Sequence, residues 1–132
     1  MCDVLVLEDD DLVLDVMVQA LEDAGYAVRM AEHGDEALEY LASGPCRLML
    51  SDINLGEPMN GFDVVERARA ARPDLKVIYL SGMPSNWAGR AFDERTRRLN
   101  KPFRFEELLR AIQEMGVWPS QPPALGVERS TF

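Results

Sequence analysis

The sequence is poor in most features that would take it out of the ordinary class of small α/β domains. It has only two cysteines, Cys2 and Cys46, too few for the disulfide framework of a small secreted fold. They are read as unpaired thiols of a reducing cytoplasm. The single histidine, His33, has no partner at ligand spacing and is read as an exposed loop residue. No apolar run approaches the ~20 residues of a membrane span, and Met1-Cys2-Asp3 has no signal-peptide character. Basic residues are outnumbered 14 to 23, for a formal charge of −9. That balance argues against nucleic acid as a direct partner, since phosphate backbones select basic surfaces. Internal repeats are absent.

What is present is enough for one domain with a single core: 132 residues, 47% hydrophobic and 28% charged. Four short apolar runs, each ending in a chemically distinct group, organise the chain. Val4–Leu7 ends in Glu8, Asp9, Asp10 and Asp11, and Arg47–Ser51 ends in Asp52. Val77–Leu80 ends in Ser81-Gly82, and Leu99-Asn100 runs into Lys101-Pro102-Phe103. Runs this short, bounded by turn signals, read as buried strands of a parallel sheet.

Helical spacing appears between them. Leu14, Met17, Val18 and Leu21 precede a stop at Gly25, and residues 34–42 form a short helix closed by Ser43-Gly44-Pro45. Residues 62–71 and 105–115 are amphipathic, and 26–30 alternates like a strand. Between Met83 and Phe92 the pattern weakens: Ser85 or Asn86 could cap a helix, but Gly89 is a poor interior residue. From residue 117 to 132 the prolines and polar residues suggest a disordered tail after a domain of 1–116. Strands alternating with helices predict right-handed βαβ crossovers, a sheet covered on both faces and functional groups on its carboxyl rim.

Carboxylates brought together repel unless a cation balances them. Glu8, Asp9 and Asp52 are hard oxygen ligands that suit Mg²⁺. A lysine and a serine on neighbouring strand ends would take phosphoryl oxygens. A carboxylate can itself be a nucleophile that forms an acyl phosphate. The residues alone therefore point to a Mg²⁺-dependent, phosphoryl-accepting aspartate. Asp10 and Asp11 are read as helix-start residues.

The set Leu7-Glu8-Asp9-Asp10, Leu50-Ser51-Asp52, Leu80-Ser81-Gly82 and Asn100-Lys101-Pro102-Phe103 resembles the receiver domain of two-component response regulators over about residues 3–115. The resemblance implies a doubly wound flavodoxin-like α/β fold, (βα)5, with a parallel sheet of order 2-1-3-4-5. It implies that Asp52 is the phosphoacceptor and that Glu8, Asp9, Asp52 and the backbone carbonyl of Asn54 hold Mg²⁺ (or Mn²⁺). Ser81 would follow the phosphoryl group, Lys101 would pair with it, and Lys101-Pro102 would be cis. A sensor histidine kinase or histidine phosphotransfer protein would be the donor and an unidentified protein the downstream partner. A homodimer is compatible with the type, and no DNA-binding output is expected from this chain. Met83, two residues after Ser81, would shield the phosphoryl group from water.

Three departures stand out. The loop Asn54–Gly61 is one residue longer than the commonest form. Arg98 stands where the family usually has an aromatic. The segment from Ser81 to Lys101 is about two residues short and carries Trp87 and Gly89, so its helix is expected to be truncated or irregular. The familiar coupling, in which the hydroxyl moves and an aromatic ring swings in, cannot operate unchanged. A phosphohydrolase of the haloacid-dehalogenase kind shares a strand-end aspartate nucleophile, but it needs a second carboxylate where this chain has Asn54. A receiver-like binding module that is never phosphorylated would have lost the aspartate, an acidic partner or the lysine, and all are present. The basic run Arg90, Arg95, Arg97, Arg98, Lys101 and Arg104 reads as a solvated face or as a docking patch for an acidic partner.

Overall fold

The computed structural model describes residues 2–56, 59–87 and 89–123. Five strands, β1 (Cys2–Leu7), β2 (Val28–Ala31), β3 (Cys46–Asp52), β4 (Lys76–Ser81) and β5 (Thr96–Asn100), form one parallel sheet of order β2-β1-β3-β4-β5. The helices are α1 (Asp11–Asp23), α2 (Gly34–Ser43), α3 (Gly61–Ala71) and α4 (Phe105–Glu114). β1 is buried along its whole length, which is why it reads as a continuous apolar run rather than an alternating one. Its side chains alternate between two cores. Leu5 and Leu7 join Met49, Leu41 and Val65 under α2 and α3, while Val4 and Val6 join Leu50, Leu21, Leu108 and Ile112 under α1 and α4.

The helix starts follow from local chemistry. Asp10 caps α1 by accepting from the N–H groups of Leu12 (3.0 Å) and Val13 (3.2 Å), as its helix-start reading requires. Asn60 and Asp63 form a reciprocal capping box at α3. Gly61 is needed there because a Cβ would lie 2.3 Å from the carbonyl oxygen of Asp52, so the first turn of α3 can sit directly against the end of β3. Residues 57 and 58, within the lengthened loop before it, lie outside the described residues.

The crossover between β4 and β5, where a truncated or irregular helix is expected, carries a 3-10 turn, Pro84–Trp87, and no α-helix among the described residues. Gly89, at φ +73°, is in a conformation that no helix interior uses. β2 begins at Val28 rather than at residue 26. Tyr26 instead turns inward, 3% exposed, and donates to the carbonyl of Val117 at 3.0 Å. β5 starts earlier than its apolar end suggested, at Thr96, because an edge strand tolerates Arg97 and Arg98 where a central one would not.

The arginines do not make one free patch. Arg95 pairs with Asp93 and Arg97 with Glu114, while Arg90 lies 3.4 Å from the ring centroid of Phe62.

Cys2 and Cys46 are joined in a disulfide. Forty-four residues apart in sequence, they face each other in register on adjacent parallel strands, with Cα atoms 4.6 Å apart. The reading as free thiols, and with it that argument for a reducing compartment, does not hold. The segment expected to be a loose tail is tied down over its first residues. The N–H of Ser120 reaches Asp3 (3.2 Å), Arg47 donates to the carbonyls of Gly116 (3.3 Å) and Trp118 (3.0 Å), and the N–H of Gln121 reaches Gly25 (3.0 Å). Residues 124–132 lie outside the described ones.

Candidate functional site

The parallel register brings four strand ends to one rim. Glu8 follows the last residue of β1, Asp52 ends β3, Ser81 ends β4 and Lys101 follows β5. The pairings Leu7↔Ser51, Asp52↔Leu80 and Ser81↔Asn100 set these ends level with one another. A cis Lys101-Pro102 bond turns the chain immediately beyond β5, as expected.

Glu8, Asp9 and Asp52 each offer a carboxylate oxygen, all within 4.8 Å of one another. Glu8 and Asp52 are buried and Asp9 is exposed, so the cluster has a closed floor and an open side. The ammonium of Lys101 bridges the two buried carboxylates, 3.0 Å from Glu8 Oε1 and 3.3 Å from Asp52 Oδ2. The other Asp52 oxygen accepts from the N–H of Asn54 at 3.1 Å. One cation facing this many carboxylates leaves negative charge uncompensated. Burial, followed by the hydrogen bond to Asp52 and the charge of Asp52, pushes Glu8 up to about 8, with Lys101 acting in the opposite direction. Burial would lower the Lys101 ammonium, but the charges of Asp52 and Glu8 outweigh it and hold the group above its ordinary value.

Ser81 stands at the same rim with its hydroxyl turned to its own loop, where it bonds Met83 and Asn86. Met83 is 53% exposed, and its sulfur lies 3.7 Å from the side-chain nitrogen of Asn54, above the carboxylates' end of the sheet. The residues read from the sequence are thus brought together, except that Ser81 is engaged elsewhere. In the sequence Asn86 reads only as a helix cap, and no pattern there shows that its amide folds back on Ser81. Trp87 is a plug, 7% exposed, rather than a surface residue. On α1, Leu14 belongs to the core, while Leu12 (78% exposed) and Val16 (47%) face outward. His33 is exposed, at the N-cap of α2.

The arrangement can concentrate a hard cation and phosphoryl oxygens beside a carboxylate. Among the described residues, no helix is long and apolar enough to cross a membrane.

Comparison with known proteins agrees with this geometry. Residues 4–113 match the family described as the response regulator receiver domain. The chain is 35% identical over 118 residues to the response regulator receiver protein CpdR of Brucella abortus, covering 85% of this chain and 94% of that protein. It is 34% identical over 116 residues to the sensor kinase CckA of the same organism, but there it spans only 12% of the relative. Among solved structures it superposes on the response regulator TrrA of Thermotoga maritima, determined in complex with Mg²⁺–BeF. The TM-score is 0.76 at 27% identity, covering 87% of this chain and 99% of that one. Domains of this kind are signalling modules, in which phosphorylation on aspartate and Mg²⁺ binding are typical.

Proposed function

The chain belongs to the response regulator receiver family, and from that premise we propose that it accepts a phosphoryl group on Asp52 from a histidine kinase or a histidine phosphotransfer protein and signals through protein contacts. The observation that carries the reading is the meeting of Asp52 with one ammonium and two further carboxylates at the carboxyl rim of the sheet. An Asp52 oxygen attacks the phosphorus of a phosphohistidine. The P–N bond breaks with its electron pair returning to the imidazole, and a P–O bond to Asp52 forms. Lys101 pairs with the transferred group's negative oxygens, and Ser81 is the hydroxyl that reaches it afterwards. The chain catalyses its own phosphorylation and dephosphorylation and turns over no other substrate.

The donor set fits a hard divalent cation. All three side chains offer oxygen, two of them are buried, and their oxygens converge within 4.8 Å with the Lys101 ammonium beside them. Glu8, Asp9 and Asp52, with the carbonyl of Asn54, would hold Mg²⁺ or Mn²⁺. Such an ion neutralises phosphoryl oxygens. Leu12 and Val16, exposed and one turn apart on α1, the helix that follows Asp9, offer an apolar contact for the donor's helices. The cytoplasm is the compartment in which such kinases present their phosphohistidine.

The test is intact mass after incubation with Mg²⁺ and acetyl phosphate, beside an Asp52→Asn control. The expected result is a gain of about 80 Da, one phosphoryl group, absent in the control and absent without Mg²⁺. A folded protein that takes up nothing from acetyl phosphate or from phosphohistidine donors would be a binding module instead.

A further inference from the structure

A serine hydroxyl has one hydrogen to donate and two lone pairs with which to accept. In Ser81 all are in use. It donates to the carbonyl of Met83 (3.2 Å), accepts from the N–H of Met83 (3.0 Å) and accepts from Nδ2 of Asn86 (2.6 Å). A phosphoryl group on Asp52 presents only acceptor oxygens at neutral pH. The hydroxyl can therefore serve that group only by turning its hydrogen away from Met83, which re-aims the lone pairs that hold the Met83 N–H and the Asn86 amide.

Asn86 is coupled in turn to the far edge of the sheet. It belongs to the 3-10 turn Pro84–Trp87, whose last residue is buried. The Trp87 indole donates to Oδ1 of Asn100 at 2.8 Å, its ring meets Phe92 edge-on at 6.0 Å, and the Arg98 guanidinium lies 5.7 Å from its centroid. Asn100 and Arg98 are residues of β5, paired with Ser81 and Tyr79. Two hydrogen bonds, joined through the peptide bond between Asn86 and Trp87, thus link the Ser81 hydroxyl to the edge strand.

We propose that Asn86 is a positioning residue that holds the Ser81 hydroxyl in its resting arrangement, and that Trp87, bonded to Asn100 with Arg98 beside its ring, carries its release to the β5 edge. The proposal rests on the phosphoacceptor reading and adds to it the route by which the phosphoryl group is sensed. Asn86 then opposes activation: its bond is an interaction of the resting state that the phosphorylated state gives up. A residue that merely supported the fold would act in the opposite direction.

The test uses the full chain carrying Trp118→Phe, which leaves Trp87 as the sole tryptophan, since the chain has two. Mg²⁺–beryllofluoride serves as the phosphoryl mimic. Its binding is followed by fluorine NMR and the environment of Trp87 by fluorescence. In this parent protein, Trp87 emission is expected to change in step with binding. Asn86→Ala is expected to tighten beryllofluoride binding about three- to tenfold, the effect of releasing one hydrogen bond, while the Trp87 response shrinks. In a Ser81→Ala background the Asn86 substitution should no longer alter affinity. Unchanged or weaker binding by Asn86→Ala, or binding with silent Trp87 emission, overturns the proposal and leaves the phosphoacceptor reading standing. No beryllofluoride binding by the parent overturns both.

Discussion

The strongest quantitative consequence of the site concerns pH, and it runs against the usual behaviour of a carboxylate. Glu8 is pushed from its ordinary 4.5 up to about 8 by burial and by the adjacent Asp52. Without metal, the folded protein therefore binds more protons than the unfolded chain between those two values. Stability then falls as pH rises through that window, because the slope of unfolding free energy with pH follows protons bound in the unfolded state minus those in the native one. The side chain is 2% exposed, so solvent screening is slight. A displacement from 4.5 to about 8, at about 1.4 kcal/mol per pH unit, sets a ceiling of roughly 5 kcal/mol lost across the window. A divalent cation competes with that proton, so Mg²⁺ should restore stability most at the alkaline end and least near pH 5. The assay is urea unfolding from pH 5 to 8.5 in EDTA and in Mg²⁺, on the wild type and on Glu8→Gln. The glutamine keeps the shape of a protonated Glu8 and should flatten the EDTA profile. If wild type and Glu8→Gln have parallel profiles in EDTA, the buried-carboxylate argument is wrong.

Three further outcomes can be checked on the same protein. The Cys2–Cys46 disulfide closes a loop of 44 residues, and a cross-link of that span restricts the unfolded chain by about 4 kcal/mol; a reductant or Cys46→Ser should lower the urea midpoint accordingly. Truncation after Gly116 removes buried Val117 and its bond from Tyr26, together with the Ser120–Asp3 bond, and should cost about 3 kcal/mol, again read by urea unfolding. Met83→Glu should shorten the lifetime of the aspartyl phosphate severalfold, measured as loss of the phosphorylated mass with time; an unchanged lifetime would exclude Met83 as a shield.

The sequence by itself determined the parallel α/β class, the strand ends and the identity of the acidic, hydroxyl and ammonium groups. These properties are local. A strand buried on both faces must be an apolar run, and the first polar residue after it must stand at the rim. Glu8, Asp52, Ser81 and Lys101 were all legible in that way. The tertiary structure decided whatever depends on which strands become neighbours. Cys2 and Cys46 look unrelated until β1 and β3 pair in register. Val117 to Gln121 look like a loose tail until Asp3, Arg47 and Tyr26 converge under them from three strands or strand edges. The Arg97-Arg98 strand is hidden from periodicity because an edge position relaxes the demand for apolar residues. Asn86 and Trp87 carry no motif at all. Their link to Ser81 and β5 exists only because the crossover between β4 and β5 turns through Pro84–Trp87 and folds its polar side chains back onto the rim.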